Sequence, residues 1–135
     1  MKKILLPILF FCCGQMAVAA GIAPVRVIGA TTVDTMLAKG LLDKGVTFVD
    51  VRKAEDYKKG HIPGAVNLPV HGNFTSETLS SIVNKNERVL FYCNGVRCQA
   101  SSIATKKALD WGWKSVFYYR DGFPVWKRSG LEVEK

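Results

Sequence analysis

At 135 residues, 48% of them hydrophobic and 22% charged, the chain has the length of one domain and enough apolar sequence to close a modest core. No period of about 20 to 50 residues recurs and no low-complexity stretch appears, which sets aside repeat arrays and long linkers. The formal charge of +8 is scattered rather than massed in one run, which disfavours nucleic acid as a partner and suits attraction of small anions.

The first residues read as a separate unit. Lys2 and Lys3 precede an apolar run from Ile4 to Cys13 and then the small residues Ala17, Ala19 and Ala20, the layout of a secretory signal peptide. Small side chains at Ala17 and Ala19 put the expected cut after Ala19. Residues 1–19 are therefore read as a removed leader and 20–135 as a single domain, exported to the bacterial periplasm and free of the membrane after cleavage. The apolar run is shorter than the ~20 residues a membrane span needs. Phe10 and Phe11 before Cys12 do not suit a lipoprotein site, which wants small residues there. Cleavage removes Cys12 and Cys13 and leaves Cys93 and Cys98 as the mature thiols, in an oxidising setting.

Val25 to Ile28 is short and apolar-rich and predicts a strand. Thr31 or Thr32 then caps a helix with Val33, Met36, Leu37 and Leu41 on one face, ended by Gly45. Val46 to Val51 is β-branched and nearly continuous in apolar residues, as in a strand buried on both faces of a parallel sheet. A short helix over Glu55 to Lys59, a strand over Ala65 to Leu68 and a helix over Ser76 to Val83 follow. Arg88 to Tyr92 predicts a third buried strand, the stretch from Gln99 to Trp111 a helix with Ile103, Ala104, Ala108 and Leu109 on one side, and Val116 to Tyr119 the last strand. Asp121-Gly122 is read as a turn into a tail carrying Phe123, Val125 and Trp126. Strands alternating with helices predict an open α/β fold with helices on both faces of the sheet.

Between the third strand and its helix lies Cys93-Asn94-Gly95-Val96-Arg97-Cys98. Ligands of α/β sheets bind beyond the carboxyl ends of the strands. Loop amides and the helix dipole there would stabilise a thiolate, or the anionic outer sulfur of a persulfide, so the Cys93 pKa is expected to fall. Gly95 lets the backbone turn inward, and Arg97 adds a permanent cation. The histidines, far off in sequence, show no metal-ligand spacing, and no metal is expected. Trp111, Trp113, Tyr118, Tyr119 and Trp126 are read as core, with Phe123 or Trp126 as candidates for the mouth of the pocket.

Phe48-Val49-Asp50-Val51-Arg52, Asp56-Tyr57, the run from Gly60 to Pro69, the cysteine loop, and Asp121-Gly122-Phe123 with Trp126, Gly130 and Leu131 together resemble the rhodanese-like (thiosulfate sulfurtransferase) family. The resemblance implies a rhodanese-like fold with an open five-stranded parallel sheet, and sulfur transfer by a persulfide at Cys93. A small anionic donor such as thiosulfate would supply the sulfur and a thiol or cyanide-like acceptor remove it, with no cofactor and with an exported protein as a conceivable acceptor. It also implies that the loop amides of Asn94, Gly95, Val96, Arg97 and Cys98 bind the anion, and that Asp50, Arg52 and His61 form a structural network.

Family members place an arginine sixth in the loop; here Cys98 is sixth and Arg97 fifth. Related phosphatases use a loop one residue longer, so this loop length argues for sulfur. The cysteine pair leaves a second reading open, a non-catalytic persulfide carrier or thiol–disulfide module. Cys98 itself reads either as a resolving thiol or as a small packing side chain.

Overall fold

The computed structural model describes residues 21–135. The expected leader, with Cys12 and Cys13, lies outside the described residues. Ten elements follow in order: β1 (Thr31–Thr32), α1 (Thr35–Asp43), β2 (Thr47–Asp50), α2 (Ala54–Lys59), β3 (Val66–Asn67), α3 (Ser76–Ser80), β4 (Arg88–Tyr92), α4 (Ala100–Asp110), β5 (Ser115–Tyr119) and α5 (Gly122–Arg128). The strands form one all-parallel sheet in the order β1-β5-β4-β2-β3. This is the expected five-stranded α/β architecture.

β4 is the central strand, and its alternation builds two cores. Val89, Phe91 and Cys93 face one layer with Leu79 of α3 and Ala100, Ala104 and Ala108 of α4. Leu90 and Tyr92 face the other with Ala38 of α1 and Trp126 of α5. Successive strand side chains point to opposite faces, so helices must cover both. Each fully buried large apolar side chain contributes roughly 1.5–3 kcal/mol.

Three expectations are corrected. Val25–Ile28 is not a strand: Val25 and Ile28 are 72% and 94% exposed. Pro24 offers no amide to a ladder. The preceding backbone is held instead by Ala23 N–H donating to Val96 O at 2.7 Å, Arg120 to Ala23 O at 3.0 Å and Tyr118 Oη to Pro24 O at 2.9 Å. Neither Thr31 nor Thr32 caps α1. Both form the edge strand, and Asp34 accepts the Leu37 amide at 2.8 Å as N-cap. Val33 thus precedes the helix, the inward stripe is Ala38 with Leu41 and Leu42, and Met36 and Leu37 face solvent. Finally, the segment after Asp121-Gly122 is the helix α5 rather than a tail. Pro124 sits in its first turn, where a missing amide costs nothing.

α5 starts against the cysteine loop. Gly122 has φ +67, and a Cβ there would meet Cys93 O at 2.4 Å and Gly95 N at 2.7 Å. Its absence lets Phe123 N–H donate to Cys93 O at 2.9 Å. Gly122→Ala is therefore expected to lower unfolding free energy by at least ~3 kcal/mol, whereas Gly130→Ala, at φ +76 with open space around it, is expected to cost only the ~1–2 kcal/mol of left-handed strain. Urea denaturation of both variants checks this, and equal losses contradict the close-approach explanation.

Candidate functional site

β2 and β4 are neighbours, but the chain leaves β2 outward to β3 and returns on the other side to form β4. The loops beyond their carboxyl ends therefore diverge and leave a crevice, the usual binding place in open α/β sheets. A cleft of about 330 Å³ opens there, lined among others by Arg52 and Lys53 after β2, His71, Asn94 and Cys98 of the loop, and Ile103 of α4.

The cleft wall is fixed by a buried ion pair. Asp50 ends β2 in register with Tyr92 of β4, and the Arg52 guanidinium donates to its carboxylate through Nη2 at 2.7 Å and Nε at 3.0 Å. The same Nη2 donates to Gly60 O at 2.7 Å, and Nη1 donates to Asn94 Oδ1 at 3.3 Å. Phe123 lies under the guanidinium at 4.5 Å. Burial alone would lower the Arg52 pKa, but hydrogen bonding and proximity to Asp50 hold it above its ordinary value. His61 joins this network only through neighbours. Its ring stacks on Tyr57 at 3.7 Å, and Nδ1 lies 2.8 Å from Tyr57 O, which requires that nitrogen to carry the proton. Its backbone bridges to Glu134.

Cys93 begins the loop at the end of β4 and is fully buried. Its sulfur receives the Ser101 amide at 3.3 Å from the first turn of α4, lies 3.3 Å from Ser101 Oγ, and has Cys98 O at 3.4 Å. Gly95 turns the loop at φ +100, and Cys98 N–H donates to Gly95 O at 2.9 Å. Cys98 is half-buried and is the cysteine that lines the cleft; Cys93 lies behind it. Both are free thiols.

The two thiols divide one charge between them. The neighbouring Cys93 side chain, helped by the amides of Asn94 and Ala100 and by the Arg52 charge, pulls the Cys98 pKa down to about 6 against the opposing effect of burial. The proximity of Cys98, with burial, pushes Cys93 up despite the Ser101 donors. The expectation that Cys93 would be the low-pKa thiol is thus reversed. The amide-lined loop does hold a thiolate, but on the more exposed sulfur, where a negative charge loses less solvation.

The remaining loop residues divide. Asn94 borders the cleft and also donates to Asp56 at 3.3 Å. Gly95, Val96 and Arg97 border a different cavity of about 270 Å³ beside Asp121 and Arg128, so Arg97 does not add its charge to the cleft. The cation there is Lys53, together with the buried Arg52. Neither Phe123 nor Trp126 lines the cleft: Phe123 covers Arg52, and Trp126 is core with its indole N–H donated to Glu132 O at 2.8 Å. Ser101, Lys53 and His71 escaped sequence reasoning. Of these only Ser101 left a signal, a hydroxyl in the first turn of the helix after the loop.

Compared with known proteins, residues 32–129 match the family model for the rhodanese-like domain. The rhodanese-like domain-containing protein 17 of Arabidopsis thaliana is 35% identical over 118 residues, which cover 76% of this chain and 73% of that protein. Thiosulfate sulfurtransferase 16 of the same plant is 29% identical over 114 residues, covering 77% and 92%. The chain spans only 38% of an HTH-type transcriptional regulator of Mycobacterium tuberculosis, matched at 36% identity over 67% of the chain. Among solved structures, the BH2092 protein of Bacillus halodurans superimposes with a TM-score of 0.69 at 29% identity, over 78% of this chain and 77% of that one.

Alkylation by iodoacetamide reads the thiolate directly. Of the two thiols among the described residues, Cys98 is expected to react first in the folded chain, with a half-rise near pH 6, while in the denatured chain Cys93 and Cys98 both follow the ordinary value of about 8.5. Because the folded value is the lower one, the stability gained from the Cys98 charge is fully present above the unfolded value and is lost as pH falls through about 6. A first reaction at Cys93, or none below pH 8, contradicts the assignment.

Proposed function

The chain belongs to the rhodanese-like family, and on that premise we propose that it is a sulfurtransferase carrying sulfane sulfur as a persulfide on Cys93. The donor is a small sulfur anion such as thiosulfate, and the acceptor a thiol or a cyanide-like nucleophile. The observation that carries this reading is the sulfur of Cys93 at the end of the central strand, fully buried, with the Ser101 amide donating to it at 3.3 Å and the Cys98 carbonyl 3.4 Å away. A relative named as a thiosulfate sulfurtransferase, 29% identical over 77% of the chain, supports the donor class.

The chemistry follows from the groups present. Lys53 and the Asn94 and Ala100 amides draw the anionic donor into the cleft. Cys93 passes its thiol proton to the neighbouring Cys98 thiolate and, as the thiolate, attacks the donor's outer sulfur; the donor's S–S bond breaks, and sulfite leaves with the electron pair. Burial behind Cys98 then keeps the transferred sulfur on Cys93 away from water, and the Ser101 amide and the α4 dipole stabilise its negative charge. Acceptor attack returns the free thiol, giving two half-reactions with ping-pong kinetics. Export to the periplasm belongs to the same proposal. It is supported by Lys2, Lys3, the apolar run and Ala17-Val18-Ala19, and the amino-terminal sequence of the mature chain, expected to begin at Ala20, tests it.

Cys93→Ser is expected to lower thiosulfate-dependent thiocyanate formation by at least about 1,000-fold, as loss of a covalent nucleophile does. Activity that survives in Cys93→Ser contradicts the assignment. Sulfur uptake without any turnover in the unaltered chain leaves a carrier in place of an enzyme.

A further inference from the structure

A rhodanese-type loop needs one thiol to carry sulfur, and this one holds two cysteines side by side, the carbonyl of Cys98 lying 3.4 Å from the Cys93 sulfur. Cys98 packs against the edge of the core and also faces outward. It is half-buried and borders the cleft, where the amides of Asn94 and Ala100 favour its charged form. The turn at Gly95, closed by Cys98 N–H to Gly95 O, brings Cys98 O to 3.4 Å from the Cys93 sulfur. Among the described residues there are no other cysteines. A persulfide formed on either sulfur therefore has a second thiol as its nearest nucleophile, already in place before any acceptor enters.

We propose that the Cys93–Cys98 pair gives the chain a second activity, the reductive release of sulfane sulfur as sulfide, in which the loop itself supplies both electrons. The inference rests on the sulfurtransferase reading for the loading step. Loading breaks the S–S bond of thiosulfate, forms a bond from Cys93 Sγ to the outer sulfur, and expels sulfite. In the release step the Cys98 thiolate attacks Cys93 Sγ, the bond from Sγ to the outer sulfur breaks, and hydrogen sulfide anion leaves. The sum is one thiosulfate and two thiols giving sulfite, hydrogen sulfide anion, one disulfide and one proton. The outer sulfur is reduced by two electrons, and the two thiols are oxidised by the same two. A second turnover requires an external dithiol to reduce the Cys93–Cys98 bond by thiol–disulfide exchange.

The geometry also orders the competition. An external acceptor must enter past Cys98, whereas Cys98 is already beside Cys93 and needs no diffusion. Without an added acceptor the disulfide is the end state. With cyanide in excess, thiocyanate formation competes with it. The protein then falls silent as disulfide accumulates, until dithiol is supplied.

A single turnover of the full reduced chain with thiosulfate, with neither cyanide nor added thiol present, tests this by assay of sulfite, sulfide and free thiols in the denatured product. The expected result is a sulfide-to-sulfite ratio near one with loss of two thiols, those of Cys93 and Cys98, and their recovery on treatment with dithiothreitol. In Cys98→Ser the ratio is expected to fall at least tenfold whatever the loading rate, with sulfur retained on the protein. Sulfite without sulfide from the unaltered chain, with Cys98 still titrating as a thiol, overturns the inference and leaves the sulfurtransferase reading standing. Absence of both sulfite and sulfide overturns that reading and this inference with it.

Discussion

The site depends on the buried pair of Asp50 and Arg52, which are 0% and 5% exposed. Withdrawing two charges from water costs several kcal/mol per ion, and the cost is offset only where geometry and further hydrogen bonds are good. Here the carboxylate receives the guanidinium through two nitrogens and the Arg52 amide at 3.0 Å. The spare guanidinium donors reach Gly60 O and Asn94. One cation thereby fastens the end of β2, the return after α2 and the start of the cysteine loop, while α5 closes over it through Phe123. Asn67 of β3 adds its side-chain amide to Asp50 O and Arg52 O at 3.0 and 2.9 Å, so the edge strand is tied to the same point.

With the loop's start fixed, its interior is set by approach distance rather than by attraction. Gly122 admits α5 against Cys93 O, Gly95 makes the turn, and the space left inside is filled by two sulfur atoms. That filling decides the electrostatics. A loop whose amides converge on one sulfur would lower that sulfur's pKa; a loop holding two gives the charge to the sulfur that loses less solvation and leaves the other as hydrogen-bond donor. The cleft consequently presents an anionic thiol beside Lys53, with the buried thiol beneath it.

Much of the fold was legible because its central strands carry long, unambiguous patterns. Arg88–Tyr92 matched β4 to the residue, and β2, β5 and α4 differ from expectation by one residue or so at their ends. The edges were less legible. The apolar-rich stretch from Val25 to Ile28 looks like a strand, yet pairing needs partners that Pro24 and the geometry of the edge deny. α5 was hidden by its own punctuation, since Asp-Gly and Pro124 signal a turn unless the proline happens to fall in a first helical turn. At the site, the sequence marked the loop and the Asp50–Arg52 network but not the division of charge between Cys93 and Cys98 or the placement of Arg97 outside the cleft. Both depend on which way side chains leave a six-residue turn, and loop order alone does not encode that.

The central claim is that sulfur rests on the buried thiol behind the exposed one. Trypsin cleaves after Arg88, Arg97 and Lys106 and so separates Cys93, on residues 89–97, from Cys98, on residues 98–106. Brief exposure to thiosulfate, an acid quench, alkylation and mass analysis of the two peptides therefore locate the first added sulfur. One extra sulfur is expected on residues 89–97. An extra sulfur found first on residues 98–106, with Cys93 unmodified, contradicts it.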